Sequence, residues 1–189
     1  MTLCSQIVVV GASAGAVEAL TALLPGLPTT YPKAVLVVVH LPPDRGSHIA
    51  ELFRDRCRLE VKEADDKESI EAGKVYFAPT AYHMLVEQGG YISLSADDPV
   101  NFSRPSIDVL FESAADAFGP NALAIVLTGA NQDGAVGARA IEKAGGRVLV
   151  QRPDQAASPT MPQAALSLCS GAKALCLNDL ARALCEDSA

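Results

Sequence analysis

The chain alternates between short, unbroken apolar runs and segments in which apolar residues recur every third or fourth position. Residues 7–10, 34–39 and 122–127 are continuous runs rich in Val, Ile and Leu, the pattern of strands buried on both faces of a sheet. Residues 14–24 bring Val17, Leu20, Leu23 and Leu24 to one helical face before Pro25, Gly26 and Pro28 stop the period. Ser47 is placed to cap a helix from His48 to about Arg56 that buries Ile49, Leu52 and Phe53. A helical period over 106–118 aligns Ile107, Leu110, Phe111, Ala114 and Ala115, and further helices are expected over 134–144, 162–168 and 180–185, with a strand at 147–150. The middle of the chain changes character: 59–63, 74–78, 84–87 and 91–95 are short strand candidates, and Gly89-Gly90 between the last two is a hairpin signal. Buried strands alternating with amphipathic helices predict an α/β fold. The expected architecture is doubly wound and three-layered, a mostly parallel sheet with an antiparallel hairpin, in one domain spanning 1–189.

Composition narrows the function classes. A chain of 189 residues that is 49% hydrophobic suits a single sizeable core. The net charge is -7 and no basic patch stands out, which argues against a nucleic-acid or anionic-membrane partner. Cys4, Cys57, Cys169, Cys176 and Cys185 show no CxxC spacing, as expected of reduced thiols in a cytoplasmic protein without a metal cluster. Cys4 has no apolar leader before it, no basic n-region precedes a long apolar run, and runs such as 34–39 are far too short to span a bilayer. Neither a signal peptide nor membrane insertion is expected.

In a parallel α/β sheet, chemistry gathers beyond the carboxyl ends of the strands. The three buried strands lead to Ser13, His40 and Asp133, which together supply a nucleophile, a base and an orienting carboxylate. Residues 11–15, Gly-Ala-Ser-Ala-Gly, also fit the G-x-S-x-G elbow, in which small neighbours let a strand turn sharply into a helix and lift the serine hydroxyl clear. A dinucleotide loop fits poorly: Ser13 stands where the second glycine is needed, and the end of the second strand carries Val39-His40-Leu41 rather than an acid. Blander roles compete at each position. A histidine at a strand end is often simply packed, and an aspartate before Gly134 often caps the next helix. Asn131 and Gln132 are weaker acceptors beside Asp133, while Asp44 and Asp108 are less favoured because neither directly follows a buried strand. His83 is either a pocket residue or a surface imidazole on the hairpin.

Five segments in order, GASAGAVEAL, VVVHLPP, GKVYFAPTAYHMLV, RPSIDVLFESAA and VLTGANQDGAVGA, resemble the catalytic domain of the CheB-type chemotaxis protein-glutamate methylesterases. The resemblance runs from Ile7 to about Leu184. It implies a serine hydrolase that demethylates glutamate methyl esters, and deamidates certain glutamines, on chemotaxis receptors through an acyl-enzyme, without cofactor or metal. Carried over, Ser13 is the nucleophile, His40 the base and Asp133 the orienting acid. Backbone N–H groups at Ala14 and Ala130 are candidates for the oxyanion, and His83 is a further pocket candidate.

The chain departs from the family pattern in places. Ala14 stands where the family usually has threonine; the family's GMGxDG reads Gly-Ala-Asn-Gln-Asp-Gly over 129–134; and the late rim segment is ASPTMP at 157–162. The changed 129–134 turn motivates a second expectation, a non-catalytic receptor-binding or scaffold module of the same fold. Nucleotide binding is the third reading. The family is often fused to a receiver domain, and none is expected within this chain, so constitutive competence is expected. The resemblance implies a partner in the helical cytoplasmic bundle of a methyl-accepting receptor, with Asp44, Arg45 and Arg104 as candidate rim charges.

Overall fold

A computed structural model describes residues 5–40 and 48–186. In chain order the elements are β1 (Ile7–Ala12), α1 (Ala16–Leu23), β2 (Ala34–Val39), α2 (Ile49–Arg54), β3 (Glu60–Glu63) and β4 (Lys74–Phe77). There follow β5 (His83–Glu87), β6 (Tyr91–Ser95), α3 (Ile107–Phe118), β7 (Ala122–Val126), α4 (Ala135–Lys143), β8 (Arg147–Gln151), α5 (Thr160–Leu168), β9 (Lys173–Leu175) and α6 (Leu177–Glu186). Seven strands form one sheet in the order β3-β4-β2-β1-β7-β8-β9, with every neighbouring pair parallel. β5 and β6 form a separate antiparallel pair.

The sheet divides two apolar layers, and alternate residues of β1 serve each. Val8 and Val10 pack with Leu20, Phe53 and Leu180 from α1, α2 and α6. Ile7 and Val9 pack with Phe111, Ile141 and Ala165 from α3, α4 and α5, and with Met84 and Ile92 of the hairpin. A strand covered on both sides can be apolar at every position, and all six residues of β1 and of β2 are buried. This is the doubly wound, three-layer α/β arrangement expected from the pattern. The strand order reverses about β1: β2, β4 and β3 lie on one side, and β7, β8 and β9 on the other. The crevice beyond such a reversal is where ligands bind in open α/β sheets.

Several expectations are corrected in detail. α1 starts at Ala16 rather than Ala14, because Gly15 adopts φ 84° and breaks the turn from the helix. Its buried face is Ala16, Ala19, Leu20 and Leu23, while Val17 is exposed. Leu52 of α2 also faces outward, and the buried positions there are Ile49, Ala50 and Phe53. β9 carries no sequence signal: it is a three-residue edge strand with exposed or half-buried residues and no apolar pattern. Ser47 and Cys4 lie outside the described residues.

Candidate functional site

The nucleophile turn is clamped from behind. Ser13 N–H donates to the Thr128 carbonyl at 2.9 Å, and the Thr128 hydroxyl donates to the Ala14 carbonyl at 2.7 Å. The Thr128 oxygen in turn accepts Ser158 N–H at 2.9 Å, and Gly129 N–H donates to the Ser158 carbonyl at 3.1 Å. At Gly15 a β-carbon would suffer both the positive φ and an approach of 2.7 Å to the Ala157 methyl. The start of the 157–162 segment, expected at the pocket rim, thus packs against the turn. Ser13 is left half-buried and Ala14 exposed. Among the described residues, neither Ala14 N–H nor Ala130 N–H has a hydrogen-bond acceptor.

His40 follows β2 directly, and its N–H donates to the Ala12 carbonyl at 3.1 Å. Because Ala12 pairs with Val39 across β1 and β2, Ser13 and His40 emerge side by side from adjacent strands. The His40 ring reaches Asp133: Nε2 lies 2.8 Å from Oδ2, the histidine side chain 12% exposed and the carboxylate wholly buried. Asp133 does not cap the helix that follows it. Gly134 at φ 93° turns the chain away, where a β-carbon would come within 2.7 Å of Ile107. The carboxylate instead meets the N-terminus of α3, accepting Ile107 N–H at 2.6 Å and Asp108 N–H at 3.2 Å. Ser106 Oγ and Asn101 Nδ2 add donors to Oδ1, both at 2.9 Å. Burial pushes the Asp133 carboxyl up, but the hydrogen bonds from His40, Asn101 and Ile107 outweigh it and hold the group at about 2. It is therefore a carboxylate at neutral pH.

A second buried acid joins the cluster. Asp108 accepts Gly137 N–H at 2.7 Å and Asn101 Nδ2 at 2.8 Å, so one amide nitrogen bridges Asp108 and Asp133. Burial raises Asp108 to about 6; the Gly137 N–H works against this and the Asp133 charge reinforces it. Asn101 can reach both carboxylates because residues 101 and 102 hold φ of 50° and 61° in a tight turn closed by the Val100–Ser103 bridge. The tip of that turn, Phe102, is fully exposed. Phe102, His40, Phe77, Thr80 and Arg104 are among the walls of a cleft of about 330 Å³; Ser13 is not one of its lining residues.

Other candidates fall elsewhere. His83 is buried, with Nδ1 accepting Ser106 N–H at 3.1 Å and Nε2 donating to the Asp98 carbonyl at 3.1 Å. It is neither a lining residue of the cleft nor a surface imidazole; β5 packs beneath α3 and shelters it. Its contact reaches the site at one remove, through the residue that starts α3. Arg104 lines the cleft but turns its guanidinium to the Ala96 and Asp97 carbonyls. Asp44 and Arg45 lie outside the described residues. Asn131, expected only as a weak acceptor, donates from Nδ2 to His40 Nδ1 at 3.3 Å and accepts Asp133 N–H on Oδ1 at 3.2 Å. Among the described residues no group of three or more His, Cys, Asp or Glu side chains could hold a metal ion, and no helix is long and apolar enough to cross a membrane.

The class of protein is a doubly wound α/β domain that gathers a serine, an imidazole and an anchored carboxylate at the edge where its strand order reverses. The family model for CheB methylesterase matches residues 8–184, and the chain belongs to that family. It is 39% identical over 176 residues to a Leptospira interrogans protein provisionally named protein-glutamate methylesterase/protein-glutamine glutaminase, covering 93% of this chain and 91% of that one. Identity is also 39% to the Paraburkholderia xenovorans protein-glutamate methylesterase/protein-glutamine glutaminase, where 94% of this chain matches 49% of the relative, so the chain spans about half the length of that protein. The crystal structure of the Thermotoga maritima CheB methylesterase catalytic domain superposes with a TM-score of 0.89 at 29% identity, covering 98% of this chain and 99% of that one.

Proposed function

We propose that this chain is a protein-glutamate methylesterase that hydrolyses glutamate γ-methyl esters on the cytoplasmic helical bundle of a chemotaxis receptor, and that it works in the cytoplasm as one catalytic domain. Ser13 Oγ attacks the ester carbonyl as His40 removes its proton. The resulting oxyanion is met by Ala14 N–H and Ala130 N–H. His40 then delivers the proton to the departing methoxide, giving methanol and a glutamyl-Ser13 ester. Water, deprotonated by His40, cleaves that ester to release glutamate and restore Ser13. A glutamine side chain follows the same path with ammonia as leaving group. Asp133 fixes the imidazole and stabilises the imidazolium formed in each half-reaction. The observation carrying this reading is the 2.8 Å bond from His40 to a carboxylate kept ionised by the N-terminus of α3, at the edge where Ser13 emerges.

The test is methanol release from methylated receptor. Wild type should release methanol and Ser13→Ala should not; a Ser13→Ala protein that kept the rate would exclude the assignment. One observation favours a second reading, a receptor-binding module without turnover: Ser13 Oγ makes no hydrogen bond among the described residues, while Asn131 occupies the free nitrogen of His40. A fluorophosphonate probe separates the two. Stoichiometric labelling at Ser13 supports the hydrolase, and a folded protein that takes no label supports the module.

A further inference from the structure

The Asn131 side chain touches both partners of the His40–Asp133 pair. Its amide orientation is fixed by chemistry, since Asp133 N–H can only donate and so selects Oδ1. That leaves Nδ2 as the atom facing His40 Nδ1 at 3.3 Å. An amide nitrogen can only donate, so Nδ1 must carry a lone pair there. The ring proton then sits on Nε2, where Asp133 Oδ2 receives it at 2.8 Å. The Asp133 carboxylate, which can only accept, demands the same tautomer from the other side of the ring.

We propose that Asn131 is a positioning residue for His40, one that together with Asp133 keeps Nδ1 as the basic nitrogen and that holds its lone pair until the Ser13 hydroxyl displaces the amide. This rests on the reading of His40 as base. An imidazole nitrogen offers a single in-plane lone pair, so Asn131 Nδ2–H and Ser13 Oγ–H compete for it. When the Ser13 proton moves to Nδ1, the ring becomes a cation with N–H on both sides. An amide donor facing Nδ1–H is then repulsive, and Asn131 must turn aside. Asn131 therefore favours neutral imidazole over imidazolium and opposes proton transfer until the site reorganises. A residue that only shaped the 129–134 turn would need the Oδ1 contact and have no use for the Nδ2 contact.

Two substitutions separate those roles. Asn131→Asp keeps an acceptor for Asp133 N–H but faces Nδ1 with an oxygen, which demands a proton there. Asn131→Gly removes both contacts. In Asn131→Gly the acid limb of the fluorophosphonate labelling rate at Ser13 should move up by roughly 0.5 pH unit, and the plateau rate should rise about threefold, as expected for loss of one modest neutral hydrogen bond. In Asn131→Asp the limb should move up by about one pH unit or more, and labelling at neutral pH should fall about tenfold or more.

The wild-type ring gives a readout that does not depend on catalysis. Long-range ¹⁵N–¹H spectra of a protein with three histidines should show His40 with an unprotonated Nδ1 and a protonated Nε2, and Asn131→Asp should move a proton onto Nδ1. The proposal is overturned if wild-type His40 carries its proton on Nδ1, or if Asn131→Asp leaves both the spectrum and the labelling profile unchanged. Absence of labelling in wild type with the expected tautomer would instead count against Ser13 as nucleophile and leave the positioning of the ring standing.

Discussion

Asp133 accepts the backbone N–H of Ile107 at 2.6 Å and so sits on the first turn of α3, not on the helix that its own chain enters one residue later. The partial positive charge of that helix end, together with the Ser106 hydroxyl and the Asn101 amide, does for the carboxylate what water does at a surface. The group can be wholly buried and still ionised, which is the condition for steadying an imidazolium beside it.

The two buried acids should push stability in opposite directions with pH. Asp133 is lowered from 3.8 to about 2, so its contribution is present above about pH 4 and is lost as pH falls toward 2. At about 1.4 kcal/mol per unit this is on the order of 2 kcal/mol. Asp108 is raised from 3.8 to about 6, so the folded state holds its proton longer than the unfolded chain does. Its contribution is full below about pH 4 and is lost as pH rises through 6. Urea unfolding should therefore show stability falling between pH 4 and 6 in wild type, and Asp108→Asn should flatten that window. An unchanged slope in Asp108→Asn would refute the assignment.

Thr128 should matter to chemistry it never touches. Thr128→Val strands the Ala14 carbonyl and Ser158 N–H, which the hydroxyl now joins. A loss of roughly 1–3 kcal/mol of stability is expected. Ser13 labelling should slow about tenfold or more, because small displacements of a nucleophile are costly. Thr128→Ser, which keeps the oxygen, should restore most of both, as thermal melts and labelling rates would show.

His83→Ala should injure folding more than catalysis. It leaves Ser106 N–H in a buried position without its acceptor, at a cost of about 1–3 kcal/mol plus the lost packing. The pH limb of Ser13 labelling should stay where it is, since His83 does not contact Ser13, His40 or Asp133. A shifted limb in a folded variant would give His83 a part in the titration of the site.

The strands that carry the site were readable because a strand covered on both faces must be apolar throughout: Val8 and Val10 face one layer, Ile7 and Val9 the other, and no polar position interrupts them. The placement of Ser13 and His40 at adjacent strand ends was legible because each closely follows such a run, whereas Asp133 reaches the same edge through the 128–132 turn. Asn101 was not, since its role depends on a left-handed turn that brings a loop amide between two carboxylates, and nothing local in the sequence marks that. Asp108 follows no strand, and the start of α3 brings it to the same edge by another route. His83 shows the limit of alternation, which assigns a side of a strand but cannot say whether a helix lies over it. β9 escaped notice because an edge strand of three residues needs no apolar pattern.

His40 and Asp133 stand 93 residues apart in the chain, and Thr128 and Ala14 stand 114 apart. Closing contacts so distant costs loop entropy before the contacts repay it. A nascent chain that has emerged only as far as β4 already carries Ser13 and His40, yet it has neither the acid nor the clamp behind the nucleophile. The arrangement around Ser13 is complete only once β7 lies beside β1. On the proposed function, covalent labelling at Ser13 should therefore report the completed fold.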